Sequence, residues 1–403
     1  MNVSIPNESV AERVMEPCES ANAPVLQPGA TIGMVGGGQL GRMFAVAAAQ
    51  MGYRVHVYCG NHDDPAAQVA HSVSVGSLDD LTCVAAFADA CDVITLEFEN
   101  IPSEAIAKCG EFAPTYPSAD VLAIAQDRII EKKTLREAGL PVTPFEQVSD
   151  AGTLRDFASR VGYPLIVKTA TSGYDGKGQF RVNGEAEAND VPWASAQRWI
   201  AEKCIAFDSE VSIVIARTVQ GVTKAFPLFE NEHVNHVLDV SRCRELGDED
   251  SLQARAQSIG TSVAESIGLV GLVCVEFFVA DGDLMINEIA PRPHNSGHLT
   301  IEGCSTSQFE QHVRAICGVP LGDTSLIAGG AAMANLLGDL WEDGDPDWEH
   351  ALGVMGVSLH LYGKAGPAPG RKMGHLTAVG KDSDEAARRV LAARSRLGRS
   401  IQS

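Results

Sequence analysis

The chain contains 403 residues, 45% of them hydrophobic and 21% charged, a composition typical of a folded globular protein rather than of a disordered or collagen-like chain. Its 31 Lys and Arg and its 52 Asp and Glu give a formal net charge of −21, which argues against nucleic acid and anionic membranes as partners. The uncharged stretches, such as 211–216 and 327–337, are shorter than the ~20 apolar residues of a transmembrane helix. The length favours about two to three domains.

Residues 1–30 are predicted to form a flexible leader, because they are polar, contain proline and lack the basic and apolar segments of a secretory signal. The ten cysteines are scattered along the chain without a C-x-x-C pair. This spacing argues against a zinc knuckle. It favours reduced thiols, and therefore a cytoplasmic location.

Residues 31–125 are predicted to form a doubly wound α/β domain with a parallel sheet. Apolar strands alternate with helical stretches, in the order 31–35, 39–51, 55–58, 81–91 and 92–97. Open α/β sheets bind ligands at the carboxyl ends of their strands. Glu97 and Glu99, at the end of the last of these strands, are therefore candidate ligand contacts, with a solvated strand end as the alternative.

The rest of the chain is predicted to form a mixed α+β domain at 126–319 and a small C-terminal domain at 320–403. The middle domain contains a charged helix at 127–138, strands at 164–168, 199–205 and 210–216, and a hairpin of 272–279 and 284–289 that turns at Asp281-Gly282. Strands at 331–337 and 357–362 and a terminal helix belong to the last section.

Gly36, Gly38 and Gly41 form a G-x-G-x-x-G pattern between the first strand and the helix that follows it. This arrangement lets main-chain N–H groups contact a phosphate at a helix N-terminus. A dinucleotide site would also need an acid at the end of the second strand, but none occurs there before Asp63. The pattern therefore favours a phosphate over NAD, with a purely structural tight turn as the alternative.

Lys168 lies at the end of a predicted strand and is followed by a glycine-rich segment that reaches Gln179. A nucleoside triphosphate needs both features, because the lysine offsets phosphate charge and the glycines let main-chain N–H groups close over the phosphates. An exposed glycine-rich turn is the alternative.

Glu276 and Glu288 lie on the two strands of the predicted hairpin. An ideal two-residue turn would place Glu276 opposite Asn287, so the two acids share one face only if a strand carries a bulge or the loop is slightly longer. Two carboxylates beside an amide suit Mg²⁺, which completes its coordination shell with water and nucleotide phosphates. A structural ion pair is the alternative.

The segment 290–298 contains three residues, Arg292, His294 and Asn295, that could donate hydrogen bonds to a small anion such as bicarbonate. Its prolines exclude a regular helix, and with it a helical zinc site formed by His294 and His298. A rigid loop whose polar groups bond to one another is the alternative.

A small basic group occurs near the C-terminus of this otherwise acidic chain. It consists of Lys364, Arg371 and Lys372. Such a group suits a monophosphate better than a polymer, and a basic surface turn is an equally good interpretation.

Together these features resemble the ATP-grasp superfamily and, within it, the family of 5-(carboxyamino)imidazole ribonucleotide synthases. The resemblance extends from about residue 31 to 379, and its most specific motifs are Gly38-Gln-Leu-Gly-Arg-Met43, Gly173-Tyr-Asp-Gly-Lys-Gly-Gln179 and Pro291-Arg-Pro-His-Asn-Ser-Gly-His298. It implies an ATP-grasp domain with a glycine-rich lid near 169–179, preceded by a pre-ATP-grasp domain. It also implies carboxylation of 5-aminoimidazole ribonucleotide by bicarbonate, through carboxyphosphate. The implied cofactors are ATP and Mg²⁺, for which Mn²⁺ can substitute, and the implied assembly is a cytoplasmic homodimer.

The resemblance further implies roles for individual residues. ATP binding falls on Arg128, Lys168, Gly173, Tyr174, Asp175, Gly176, Lys177, Gly178, Gln179, Glu202, Lys203, Cys204, Ile205, Glu210, His233, Asn287 and Glu288. Substrate binding falls on Gln39, Leu40, Glu97, Tyr174, Asp175, Lys364, Arg371 and Lys372. The implied metal ligands are Glu276 and Glu288, and the implied catalytic residues are Lys168, Arg292, His294 and Asn295.

Three alternatives fit parts of this pattern. A formate-using glycinamide ribonucleotide transformylase, or another ATP-grasp ligase, would share the ATP and Mg²⁺ residues and differ in its acceptor pocket. A dinucleotide-dependent oxidoreductase would use the first glycine pattern, but the missing acid after Tyr58 disfavours it. A regulatory nucleotide-binding protein would not need the carboxylate pair.

Overall fold

The computed structural model describes residues 25–171, 178–196, 198–244 and 251–398. The predicted leader up to residue 24 lies outside the described residues, as do the predicted site residues Gly173, Tyr174, Asp175, Gly176 and Lys177. None of the described helices is long and apolar enough to cross a membrane. The nine cysteines in the described part of the chain are free thiols.

The N-terminal sheet is parallel and has helices on both faces, as its alternating pattern predicts. In chain order its elements are β1 (Thr31–Val35), α1 (Gln39–Gln50), β2 (Arg54–Cys59), β3 (Ser72–Val75), α2 (Leu81–Ala88), β4 (Val93–Leu96), α3 (Ser103–Gly110) and α4 (Ala119–Gln126). The strands lie in the order β3-β2-β1-β4. Phe44 of α1 and Phe87 of α2 are buried in separate apolar clusters, so each face of the sheet has its own core.

A second, antiparallel sheet follows. Its region contains α5 (Arg128–Glu137), β5 (Phe145–Val148), α6 (Ala151–Val161), β6 (Leu165–Thr169), β7 (Gln179–Val182) and β8 (Trp199–Lys203). The strand order is β5-β8-β6-β7. The Asp127 carboxylate caps α5 by accepting from the N–H groups of Ile129 and Ile130. This cap places Arg128 in the first turn and Lys132 one turn later on the same face.

The third sheet is the largest. Its region contains β9 (Ser209–Arg217), β10 (Thr223–Ala225), β11 (Phe229–Val234), β12 (Val237–Arg244), α7 (Ser251–Ser266), β13 (Gly271–Ala280), β14 (Asp283–Ala290), α8 (Thr300–Gly303), α9 (Gln308–Cys317), β15 (Gly330–Leu337), α10 (Trp348–Leu352), β16 (Val357–Leu361), β17 (Lys372–Gly380) and α11 (Ser383–Ser395). The strand order is β14-β13-β9-β11-β12-β15-β17-β16, with β10 paired to β9. Because β12 pairs directly with β15, the sheet continues across the boundary that the sequence predicts between residues 319 and 320.

Candidate active site

The glycine pattern after β1 encloses a carboxylate of the chain itself. Glu97, which follows β4, accepts hydrogen bonds from the N–H groups of Gly38 and Gly41, the second at 2.9 Å. A Cβ on Gly38 would lie 2.6 Å from Glu97 Oε1, so this approach requires glycine. Burial raises the pKa of Glu97, and the two N–H donors oppose that shift. Glu97 thus engages the N–H groups of Gly38 and Gly41, which favours the structural tight turn over a phosphate site.

The predicted substrate residues Gln39 and Leu40 begin α1, directly between the two glycines that hold Glu97. Both are half-buried, and Leu40 packs against the apolar core of the N-terminal sheet. The turn therefore fixes the positions of three predicted substrate residues at the carboxyl edge of this sheet.

Glu99 forms a two-point ion pair with Arg292. The Nε atom of Arg292 donates to Glu99 Oε2, and Nη2 donates to Oε1 at 3.0 Å. Burial opposes ionisation of Glu99, yet the guanidinium holds its pKa at about 2. Because Arg292 follows β14, this pair joins the N-terminal sheet to the third sheet and neutralises a residue predicted to face bicarbonate.

Lys168, at the end of β6, shares one buried carboxylate with a second lysine. Lys168 Nζ lies 3.0 Å from Glu202 Oε1, and Lys132 Nζ lies 3.3 Å from Glu202 Oε2. The hydroxyl of Thr143 also donates to Oε2, at 2.9 Å. Burial opposes ionisation, but the two ammonium groups hold the pKa of Glu202 at about 2. Two positive charges and one negative charge leave a net charge of +1 at the predicted phosphate position.

Arg128 begins α5 beside the same strand end, and its Nη1 donates to Thr169 O at 3.3 Å. Gln179 starts β7 directly opposite Lys168. Gly178, which precedes it, has a φ of 74°, a conformation that glycine adopts without strain. The described ends of the predicted glycine-rich lid therefore meet at Lys168.

Three predicted ATP-binding residues, Lys203, Cys204 and Ile205, lie at and just after the end of β8. The N–H of Cys204 donates to Pro164 O at 3.1 Å, and Lys203 Nζ donates to Tyr163 O at 3.0 Å. Ile205 comes one residue later, and both it and Cys204 are half-buried. The Lys203 side chain is thus engaged within the protein.

Glu210 on β9 and His233 on β11 form a pair across neighbouring strands. His233 Nδ1 lies 2.9 Å from Glu210 Oε2, and the two side chains are 24% and 25% exposed. Burial lowers the pKa of His233, but the hydrogen bond and the charge of Glu210 outweigh it, so the net shift is upward. The partial exposure leaves both groups accessible to a ligand.

The hairpin of β13 and β14 places Glu276 directly opposite Glu288. The next pair is Phe277 with Ile286, so Asn287 is the extra residue of a β-bulge. The two-residue turn itself is regular, with positive φ at both of its positions. Of the two possibilities that the sequence leaves open, the structure has the bulge rather than a longer loop, and the bulge brings the two predicted metal ligands side by side.

The two carboxylates differ in their partners. Burial raises the pKa of Glu276, but the hydrogen bond and charge of His294 outweigh burial, so the net shift is downward. His294 Nε2 lies 2.9 Å from Glu276 Oε1. Desolvation in the cleft and the charge of Glu276 raise the pKa of Glu288. Such a pair fits a divalent cation, which would relieve the repulsion between the two acids. In the described ranges no group of three or more His, Cys, Asp or Glu side chains is arranged to hold a metal.

His294 is held in place by Gln308, the first residue of α9. The Gln308 amide accepts from the His294 N–H at 2.9 Å and donates to the His294 C=O at 2.8 Å. Burial opposes protonation, but the Cys274 sulfur and the Glu276 carboxylate raise the pKa of His294 to about 10. The imidazole is therefore a positively charged group beside the carboxylate pair.

Asn295 presents a buried amide that lacks a hydrogen-bond partner within the described residues. The residue is 9% exposed. A buried polar group without a partner costs free energy that a ligand can recover. Residues 295–299 form a short 3₁₀ helix, and the preceding prolines exclude a regular α-helix, as predicted. Asn295 is thus a candidate anion contact beside Arg292 and His294.

Lys364 and Arg371 of the basic group lie on the segment between β16 and β17, and Lys372 begins β17. Lys364 Nζ donates to Lys372 O at 2.6 Å, and Arg371 Nη1 donates to Gly366 O at 2.7 Å. Burial and the neighbouring Arg371 lower the pKa of Lys364 to about 8, whereas Glu97 acts in the opposite direction. Lys364 therefore lies within electrostatic reach of the carboxyl edge of the N-terminal sheet.

A further contact fastens this segment to the N-terminal sheet. Gln68 Nε2 donates to Gly363 O at 2.7 Å, and Arg42 Nη1 donates to Gln68 Oε1 at 2.8 Å. Arg42 belongs to the same helix as Gln39. The C-terminal basic group and the glycine turn thus border one cleft.

Three family models match consecutive parts of the chain. They describe a ribonucleotide synthetase preATP-grasp domain at residues 29–126, an ATP-grasp domain at 133–309 and a phosphoribosylaminoimidazole carboxylase C-terminal domain at 331–389. The N5-carboxyaminoimidazole ribonucleotide synthase of Bacillus subtilis is 40% identical over 366 residues, which cover 90% of this chain and 94% of that protein. The chain belongs to the N5-carboxyaminoimidazole ribonucleotide synthase family.

Further comparisons agree with membership of the N5-carboxyaminoimidazole ribonucleotide synthase family. A crystal structure of an ADP complex of such a synthetase has a TM-score of 0.86 and 40% identity, covering 93% of this chain and 98% of that one. An Aspergillus clavatus synthase in complex with ADP and 5-aminoimidazole ribonucleotide has a TM-score of 0.82 and 28% identity, covering 92% and 98%. The bifunctional purine synthesis protein of Dictyostelium discoideum is 39% identical, and the chain spans 38% of its length. The predicted family and ATP-grasp fold are confirmed.

Several residues of this site escaped the sequence analysis. Lys132 and Thr143 complete the buried cluster around Glu202, and Gln308 fixes the His294 loop. For Lys132 a signal existed, because it follows Arg128 by one helical turn. Gln308 gave no signal, since its contact depends on how α9 packs against the loop.

Proposed function

We propose that this chain carboxylates 5-aminoimidazole ribonucleotide with bicarbonate at the expense of ATP, giving N5-carboxyaminoimidazole ribonucleotide, ADP and phosphate. The observation that carries the proposal is the bulge at Asn287, which pairs Glu276 with Glu288 next to cationic groups. Family membership supports it, and so does the Aspergillus clavatus relative, whose complex contains ADP and 5-aminoimidazole ribonucleotide.

ATP would lie between the second and third sheets. Lys168 and Arg128 would contact its phosphates, the segment Glu202–Ile205 its adenine, and Glu210 its ribose hydroxyls. Glu276 and Glu288 would hold Mg²⁺, which supplies charge neutralisation at the phosphates when bound. The raised pKa of Glu288 beside Glu276 supports this assignment, because a cation would stabilise both ionised carboxylates.

Bicarbonate would bind at the loop after β14. The charged His294 would attract the anion. Arg292, oriented and neutralised by its two-point pair with Glu99, would donate its remaining N–H groups to it, as would the unpartnered Asn295 amide. A bicarbonate oxygen would then attack the γ-phosphorus as the bond to ADP breaks, giving carboxyphosphate. Positive groups in fixed positions lower the cost of the charge that develops in this step.

The acceptor nucleotide would occupy the cleft bordered by the N-terminal sheet and the C-terminal basic group. Lys364, Arg371 and Lys372 would contact its phosphate. Carboxyphosphate would split into CO₂ and phosphate beside the exocyclic amine. The amine nitrogen would form the new N–C bond to CO₂ and pass its proton to the released phosphate. Exclusion of water by the lid would protect the intermediate from hydrolysis.

A cytoplasmic location and a homodimer complete the proposal. The free thiols of the nine described cysteines are compatible with a reducing compartment. Equilibrium sedimentation of the purified protein tests the dimer, and a single species with the monomer mass of 42.6 kDa would contradict it.

The deciding experiment measures ADP release from Mg-ATP and bicarbonate with and without 5-aminoimidazole ribonucleotide. Glycinamide ribonucleotide with formate forms a parallel arm. Release that depends on the imidazole nucleotide, with an acid-labile carboxylated product, supports the proposal. Release only in the parallel arm would assign the chain to the transformylase instead, and no release in either arm would refute both.

A further inference from the structure

Lys132 is buried behind the proposed ATP site and does not reach its surface. Its side chain is 1% exposed, whereas that of Lys168 is 16% exposed. Lys132 Nζ donates to Thr143 Oγ1 at 2.7 Å and to Ile286 O at 3.1 Å, and it lies 3.3 Å from Glu202. Because it cannot touch a nucleotide from this position, it can act on one only through these partners.

The effect of Lys132 on a nucleotide follows from the charges of its neighbours Glu202 and Lys168. If Lys132 were absent, Glu202 and Lys168 would form a closed neutral pair, and a phosphate would compete with a buried carboxylate for the ammonium group of Lys168. With Lys132 present, Glu202 keeps a charged partner when Lys168 turns to a phosphate. This lowers the cost of separating Lys168 from Glu202, since an uncompensated buried charge is strongly destabilising.

We propose that Lys132 is a positioning residue that neutralises Glu202 and thereby leaves the charge of Lys168 available to nucleotide phosphates. The inference rests on the proposed ATP site. Lys132 also supports the carboxylate pair, because the Ile286 carbonyl that accepts its hydrogen bond immediately precedes the Asn287 bulge. One ammonium group thus contacts both Glu202, the partner of Lys168, and the hairpin that carries Glu276 and Glu288.

The test compares Mg-ADP affinity by isothermal titration calorimetry for the wild type, Lys132→Met, Glu202→Gln, and the double variant that carries both substitutions. Lys132→Met lowers the net charge of the cluster from +1 to zero. In the Glu202→Gln background there is no carboxylate for Lys132 to neutralise, so its loss leaves the charge of Lys168 uncompensated. We expect Lys132→Met to weaken binding about tenfold or more in the wild type, but at most about threefold in the Glu202→Gln background.

Lys133→Met is the matched control, because Lys133 is the next residue of the same helix but is exposed. It removes the same charge without touching Glu202, and wild-type affinity is expected. A Lys133→Met effect as large as that of Lys132→Met would show a general charge effect and overturn the inference.

A purely structural role for Lys132 gives a different result. Lys132→Met would then weaken binding by the same factor in both backgrounds, and this outcome would overturn the inference, as would an unchanged affinity of Lys132→Met in the wild type. If Lys132→Met alone does not fold, as judged by its thermal unfolding, the comparison of the double variant with Glu202→Gln decides, and a loss of more than about threefold would overturn the inference. Failure of the wild type to bind Mg-ADP would instead refute the ATP site itself, and the inference with it.

Discussion

The glycine turn at Gly38 and the carboxylate pair on the β13–β14 hairpin hold acidic groups under opposite conditions. Glu97 in the turn receives two main-chain N–H donors. Glu288 in the hairpin has no hydrogen-bond partner in the described residues and faces the charge of Glu276. Main-chain donors satisfy the first carboxylate, whereas no such donor in the described part of the chain reaches the second. The two acids therefore differ in how far the protein itself compensates their charge, and only the second supports the proposed cation site.

Loss of the unsatisfied carboxylate should have the largest effect. We expect Glu288→Gln to lower ADP formation by about 100-fold or more, because the metal site loses a charged ligand. Its melting temperature should stay the same or rise, since the repulsion with Glu276 disappears. Enzyme-coupled ADP detection and thermal unfolding measure the two effects. Glu265→Gln, an exposed position on α7, is the control, and normal turnover of Glu288→Gln would remove the contrast between the two regions.

Lys168→Ala tests the cationic side of the same site. ADP formation should fall by about 100-fold or more, because the phosphates lose their partially exposed ammonium group. Lys203→Ala serves as a comparison, since that side chain bonds to main-chain oxygens of the protein. An activity loss in Lys203→Ala that equals the loss in Lys168→Ala would contradict the assignment.

Lys364→Arg tests the acceptor side through its pH dependence. The pKa of Lys364 is about 8, so the wild type loses this positive charge as the pH rises through 8, and kcat/KM for the acceptor should fall by up to about tenfold by pH 9. Arginine remains charged, so the variant should retain its kcat/KM over this interval. The profile is measured at saturating Mg-ATP, and parallel profiles for the two proteins would exclude Lys364 as the titrating group.

Gly38→Ala tests the satisfied region and should have the smallest effect. The added Cβ would lie 2.6 Å from Glu97 Oε1, and we expect a loss of about 1–3 kcal/mol in the free energy of unfolding. Chemical denaturation measures it. Gly184→Ala is the control, because a Cβ there meets nothing within 4 Å. An unchanged stability of Gly38→Ala would mean that the turn yields easily and that its fit to Glu97 contributes little.

The sequence was informative where local pattern determines structure. The alternation of strands and helices predicted the N-terminal parallel sheet, and the offset between Glu276 and Glu288 predicted either a bulge or a slightly longer loop. The contact that shapes the glycine turn was not predicted, because nothing in its local sequence shows that Glu97, far along the chain, supplies an anion. Glu99 and Arg292 illustrate the same limit, since their pairing depends on how two sheets are placed.

The predicted roles of the site residues remain proposals, although their geometry can be stated. Lys168, Glu210 and His233 lie where strands of the second and third sheets end or pair, and period-two alternation places such residues well. Gln308 and Lys132 act through contacts between elements that are distant in sequence. No periodicity encodes such contacts, and only the folded arrangement reveals them.

The direct pairing of β12 with β15 has a practical consequence for anyone who divides this chain into fragments. A fragment that stops at residue 319 would expose the full edge of β12, from Val240 to Arg244, and an unpaired edge of this kind promotes aggregation. Exchange of segments between relatives should therefore keep residues 209–398 together. The C-terminal basic group and the carboxylate pair would then be transferred together as one unit.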